Sequence, residues 1–396
     1  MKTEWINPKI IIGNTATGNY YYNRPQIVAN IWEEIEKGNH VLLTAPRRVG
    51  KSSVMKYMTE NCKDGYKCMF ENIQGIDSEE NFYKSIYSLI KSCLSTKQKT
   101  ATWLQDFFKE IKIEEVNMDG ALKLGERAIN YLEAINHILP KLHSKDVRIA
   151  LFIDELPEVL HSLNKKNKTK EAIAILKNLR RWRQEDQFRN FRLVLAGSIG
   201  LHHVVKAIEG RMVDINDFNN VDFEGLTIQE ADEYVSWATD NNATIQYDKK
   251  LKEYLLSKIQ YHLPYFINLI LDEINKTARK DNTPDINSKN IDDAFDKVVK
   301  NNDHFKEWKN RLFDYMPKED AEFLNEVLVH IAHKESISKL KLYDIANKHN
   351  KKTDYMDLID GIDRDGYIIE NGEKYVFISP FLKSFWKRNN PVYDAA

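Results

Sequence analysis

The chain has 396 residues, 42% hydrophobic and 30% charged, with 58 Lys plus Arg against 59 Asp plus Glu and a formal charge of -1. This length exceeds one compact core and implies two or three domains, while the even charge balance gives no overall drive toward nucleic acid or a membrane surface. The three cysteines, Cys62, Cys68 and Cys93, lack zinc-ligand spacing to histidine and are expected to be reduced structural thiols; with no membrane-length apolar run and no signal pattern, a soluble, cytoplasmic protein is expected.

Residues 1 to 23 are irregular, broken by Pro8, Gly13 and Gly18, and lead into Tyr20-Tyr21-Tyr22-Asn23-Arg24-Pro25. Residues 26 to 37 read as an amphipathic helix, with Ile27, Ile31 and Ile35 on one face. The apolar run Val41-Leu42-Leu43 then precedes Thr44-Ala45-Pro46-Arg47-Arg48-Val49-Gly50-Lys51-Ser52-Ser53 and a helical segment. A strand, a tight loop ending in Gly-Lys-Ser and a helix wrap a triphosphate. Gly50 lets backbone N–H groups approach phosphate, Lys51 reaches the β- and γ-phosphates, and Ser52 offers a hydroxyl to Mg²⁺. Ala45 stands where the usual pattern has its first glycine, which is tolerable if its φ is negative. With a phosphate loop following, Tyr22 and Arg24 are candidate contacts for an adenine ring; stapling of the N-terminal arm to the core explains the tyrosines equally well.

Beyond the loop, residues 67 to 72 read as a strand and 78 to 93 as a helix capped at Ser78. Residues 95 to 147 are polar and mostly helical, longer than a usual crossover, and read as an insertion. Residues 147 to 153 form an apolar strand that delivers Asp154 and Glu155 at its C-terminal end, where ligands sit in an open α/β sheet. Asp154 is the expected metal ligand and Glu155 the expected general base for water. Residues 165 to 192 are the most basic stretch; Ile175, Leu176, Leu179 and Trp182 mark a buried stripe, and the cationic face is either solvated, a polyanion contact, or a source of an arginine for a neighbouring subunit, with Arg180, Arg181 and Arg183 as candidates. If the strand at residues 191 to 196 inserts between the loop strand and the Asp-Glu strand, Ser198 lies beside the γ-phosphate as its sensor. His202 and His203 read as structural.

A strand at residues 216 to 223 ends this alternation. Thr227 to Glu230 is a capping box that opens a run of helices. Pro264 is placed at a helix start, where proline is natural, and it also reads as a rigid cover for adenine. In residues 318 to 396, three helical stretches precede a hairpin at Asn371-Gly372, the pattern of a winged helix. Its would-be recognition helix carries Asp354, Asp357, Asp360 and Asp363, acids that repel phosphate, so a packing or regulatory role is favoured over DNA binding.

Together, the Pro46 to Ser53 segment, Leu151 to Glu155, Leu195 to Ser198, Leu226-Thr227 with Glu230-Ala231, and Leu263-Pro264-Tyr265 resemble the archaeal-ATPase-like group of signal-transducing P-loop ATPases, relatives of AAA+ proteins. His262 replaces the glycine that often precedes the lid proline there. The resemblance implies an α/β P-loop core over residues 1 to 224, a helical lid over 225 to 316 and a winged helix over 317 to 396. It also implies ATP and Mg²⁺ as cofactors and nucleotide acting as a switch, with a protein partner or self-association as output. Some relatives carry a nuclease-like domain after the winged helix, for which little chain remains here. A replication or transposition loader that binds DNA is the alternative.

Overall fold

The computed structural model describes residues 5–95, 130–197, 200–210, 213–240 and 242–393. By backbone contacts the chain divides into two compact units, one drawn from residues 25–43 and 55–221, the other from 1–24, 44–54 and 222–396.

The first unit is built on a five-stranded sheet of β1 (His40–Thr44), β2 (Tyr66–Asn72), β3 (Arg148–Asp154), β4 (Phe191–Ala196) and β5 (Phe218–Asp222), in the order β2-β3-β4-β1-β5. Ile149 to Asp154 are buried without a break, as expected of a central parallel strand covered on both faces. β4 lies between β1 and β3 and is parallel to both. Its Ala196 registers with Asp154 on one side and Leu43 on the other, so the end of the loop strand and the acidic end of β3 are level across one intervening strand.

The helices are α1 (Pro25–Glu36), α2 (Lys51–Glu60), α3 (Glu79–Ser95), α4 (Tyr131–Ser144), α5 (Leu156–Lys165), α6 (Thr169–Gln184) and α7 (Leu201–Glu209). Phe82, Ile86 and Ile90 of α3, Ile135 and Ile138 of α4, and Ile175, Leu179 and Trp182 of α6 join Leu151 and Leu193 in one core. The Trp182 indole N–H donates to Asn136 Oδ1 at 2.7 Å, which satisfies its polar end inside that core. α4 accounts for the end of the expected insertion; residues 96–129 lie outside the described residues. Cys62, just past α2, and Cys68 on β2 form a disulfide with Cα atoms 5.6 Å apart. This corrects the expectation of three reduced thiols. The chain turns from a helix end into an adjacent strand over this stretch, a proximity that decides disulfide geometry and that cysteine spacing does not reveal. Cys93 is not in a disulfide.

The second unit holds α8 (Ile228–Ala238), α9 (Lys249–Ile259), α10 (Pro264–Asp281), α11 (Ser288–Lys300) and α12 (Lys306–Tyr315). The capping box is present: Thr227 Oγ1 accepts from Glu230 N, and the Glu230 carboxylate accepts from Thr227 N. The N-terminal arm is laced onto these helices by Lys9 N to Ala238 O at 2.6 Å, the Trp5 indole to Asn275 at 2.9 Å and the Asn268 amide to Ile11 O at 3.0 Å. Then come α13 (Lys318–Lys334), β6 (Ile337–Ser338), α14 (Lys339–Lys348), α15 (Tyr355–Arg364), the β7 (Ile368–Asn371) and β8 (Lys374–Phe377) hairpin, and α16 (Pro380–Asn389). The antiparallel order β6-β8-β7, with α13, α14 and α15 ahead of the hairpin, is a winged helix. Its extra helix α16, missed in the sequence, seats Phe381 against Phe295 at 4.5 Å and Phe305 at 5.9 Å between ring centroids.

Candidate functional site

β1 ends at Thr44 and α2 begins at Lys51, leaving Ala45 to Gly50 as the connecting turn. Arg48 at φ 66 and Gly50 at φ 108 take the left-handed backbone of that turn, and Ala45 does not. Hence the loop closes without its usual first glycine. No atom of the described residues lies within 4 Å of the place a Cβ would take on Gly50, so its glycine answers to backbone angle. Val49, 1% exposed, anchors the loop, and Ser53 Oγ accepts from the arm's Ala16 N at 3.0 Å. Lys51 is 7% exposed and its Nζ donates to Ala45 O at 2.8 Å and Pro46 O at 3.0 Å. Arg47 pairs with Glu307 of α12; Arg48 lies 3.7 Å from the same carboxylate and 4.7 Å from the centroid of the Tyr265 ring. Burial lowers the Arg48 pKa, as it disfavours any charge removed from water. A helix N-terminus, Lys51, Arg47 and Arg48 form a donor set of N–H groups and cations, and Ser52 adds a hydroxyl. Such a set fits a polyphosphate.

In the sheet unit, Asp154 is 2% exposed and its Oδ1 accepts from Glu155 N at 3.1 Å, while the same N–H reaches Ala196 O at 3.0 Å. Glu155 itself has φ 66 and ψ 25 and precedes α5 without a side-chain cap bond. A non-glycine residue held in the left-handed region costs on the order of 1 kcal/mol or more and collects at functional sites. Ser198 lies outside the described residues.

Residues 15–198 match the model of the AAA-ATPase-like family, described as a predicted AAA-ATPase. This segment is similar to that family. Among solved structures the whole chain is similar to the Walker-type ATPase of Pyrococcus abyssi, with a TM-score of 0.59 and 14% identity over 94% of this chain and 98% of that one. It is also similar to the ORC2 protein of Aeropyrum pernix in its ADPNP–ADP complexes, with a TM-score of 0.52 and 9% identity over 93% of this chain and 94% of that one. At these identities the likeness is one of fold: a P-loop α/β core followed by helices and a winged helix. A search of curated proteins finds no match.

Outside the AAA-ATPase-like segment's loop, the other anticipated contacts are placed as follows. Tyr22 packs edge-on against Tyr234 at 5.1 Å and Trp237 at 5.4 Å, both of α8. Arg24, 8% exposed, lies 5.0 Å from the Phe223 ring centroid and donates to Glu224 O at 2.8 Å. These contacts tie the arm to the helical unit. Pro264 begins α10 and sets Tyr265 beside Arg48.

The basic helix is engaged within its own unit. Arg183, with its side chain 1% exposed, is bound to Asp217 and Asp214 O and lies 4.0 Å from the Phe218 ring centroid; Arg180 is bound to Val213 O and Asp214. Those bonds engage Arg180 and Arg183 within their own unit. Arg181 keeps a 44% exposed side chain, paired with Glu185. Sequence reasoning missed Glu307, Tyr265 as the partner of Arg48, and the turn Asp365-Gly366 against Pro46, because no local motif marks residues that meet only after folding.

Proposed function

We propose that the chain is an ATP-binding and ATP-hydrolysing switch of the signal-transducing P-loop class, with a core over residues 1 to 224, a lid over 225 to 316 and a winged helix over 317 to 396. The observation that carries this reading is the strand, turn and helix from His40 to Glu60 with Lys51 at the helix start, set in an AAA-ATPase-like segment. The backbone from Pro46 to Ser53 cradles the phosphates, with Gly50 giving the close approach. Lys51 leaves its loop carbonyls for the β- and γ-phosphates, and Arg47 and Arg48 add positive charge. Mg²⁺ bound with ATP would neutralise charge on the β- and γ-oxygens. Ser52 and Asp154 are the residues to hold it. Glu155 takes the proton of the attacking water, and Ser198 senses the γ-phosphate. Tyr22, Arg24 and Pro264 are assigned to the adenine end. The output is a change in partner binding or self-association, since ATP shifts a conformational equilibrium only through different affinities for the two forms.

Direct titration with ATP tests the reading. Tight, Mg²⁺-dependent binding is expected for the parent chain and its loss for Lys51→Ala. A parent that binds no ATP, or a Lys51→Ala variant that binds as well as the parent, rejects it.

A further inference from the structure

The loop that fits a triphosphate is already held by protein groups from the C-terminal part of its own unit. α15 ends in a turn at Asp365, and Gly366 follows at φ +78. A Cβ built on Gly366 would stand 2.5 Å from Pro46 Cβ and 2.7 Å from Pro46 Cγ, closer than real atoms approach. Only glycine lets this turn rest on the loop. Tyr367, the next residue, donates from its hydroxyl to Trp308 O at 2.7 Å and stands 5.3 Å edge-on to the Trp308 ring. The turn is thereby clasped to α12, the helix that supplies Glu307 to Arg47 and Arg48.

The chemistry of these contacts is that of an anion site. Half-buried Asp365 lies within electrostatic reach of Lys51, Arg311 and Arg364. Glu307 occupies the guanidinium of Arg47, and Lys51 rests on the loop carbonyls. Burial outweighs the three cations and pushes the Asp365 carboxyl up to about 6.

We propose that the Asp365-Gly366 turn, with Glu307 beside it, is an internal latch that covers the phosphate loop and competes with the phosphates of the nucleotide. Nucleotide entry then requires the turn to lift from Pro46 and Glu307 to release Arg47. Occupancy of the loop is in this way coupled to the position of the winged helix, because the turn is the end of α15. The latch rests on the ATP reading above for its competitor, but not for its contacts.

The test uses the full chain and two independent variants: Glu307→Gln, which removes the carboxylate paired with Arg47 at constant shape, and Gly366→Ala, which keeps every charge and drives a methyl group into Pro46. Hydrogen exchange of residues 45–52 without nucleotide reads the contact directly, and titration with ATP reads the competition. If the latch covers the loop nine-tenths of the time, opening it tightens apparent ATP affinity about ten-fold, since affinity scales with the competent fraction. Faster exchange of the loop and tighter ATP binding are expected in both variants. Unchanged exchange in both variants overturns the latch, as does unchanged or weaker ATP affinity of both variants when the parent binds ATP. Faster exchange with no ATP binding by any form overturns the competition and the ATP reading together, and marks the turn as packing alone. Should Gly366→Ala fail to fold, Glu307→Gln decides.

Discussion

Glu155 offers two opposed consequences at one position. Its φ of 66 and ψ of 25 place a Cβ in the left-handed region, at a cost of roughly 1–2 kcal/mol relative to an ordinary conformation. Glu155→Gly removes that strain and gives back about 0.5–1 kcal/mol through the greater freedom of glycine in the unfolded chain. The net expectation is a gain of about 0.5–1 kcal/mol in the sheet unit, or a melting shift of about 1–4 °C upward for a domain of 150–250 residues. Glu155→Gln keeps the strained backbone and should melt with the parent. Both variants lose the group assigned to take a proton from water, so both should fall by on the order of 10²–10⁴ in ATP turnover while binding ATP normally. Differential scanning calorimetry and phosphate release measure the two effects side by side. A lower melting point for Glu155→Gly refutes the strain argument, and parental turnover in Glu155→Gln refutes the base assignment.

Further expectations concern other parts of the chain. His40 is buried on β1, accepts from Leu193 N at 3.0 Å, and is pulled by burial from 6.5 to about 3. The unfolded chain therefore binds a proton that the folded one refuses between pH 6.5 and about 3. Stability contributed by neutral His40 is complete above 6.5 and declines as pH falls through that window, by at most about 1.4 kcal/mol per unit; an acid denaturation series that is no flatter in His40→Asn contradicts this. Thiol titration of the unreduced protein under denaturing conditions should find Cys93 alone, and all three cysteines after reduction; three thiols before reduction would remove the disulfide. The acidic residues Asp354, Asp357, Asp360 and Asp363 on and beside α15 should leave the winged helix without salt-dependent affinity for duplex DNA, and a steep loss of DNA binding with salt that vanishes on truncating α15 lysine neighbours Lys351 and Lys352 would reverse that view.

Much of the core was legible because parallel strands buried on both faces must be continuously apolar. Val41 to Leu43, Ile149 to Ile153 and Leu193 to Ala196 stand out in the sequence and form β1, β3 and β4. Local hydrogen bonding made other features equally readable: the Thr227 and Glu230 capping box, the proline at the start of α10 and the Asn371-Gly372 hairpin each depend on residues close in sequence. The helices α7 and α16 escaped notice because each is short, of 9 and 10 residues, and their stability comes from packing rather than from a long period.

The chain's own order of residues thus determined that a strand, a Gly-Lys-Ser turn and a helix exist, and that an acidic pair ends a buried strand. Those are local facts, settled by backbone sterics and by the period of apolar residues. Tertiary structure decided which distant groups meet. It paired Cys62 with Cys68, drew Arg180 and Arg183 into their own unit, set Tyr265 and Glu307 on the two arginines of the loop, and laid Gly366 on Pro46. The loop and the Gly366 turn are more than 300 residues apart, and nothing in the chemistry of either segment names the other. Their contact follows from the packing of Tyr367 on Trp308, which is fixed only when α12 and the winged helix have folded together.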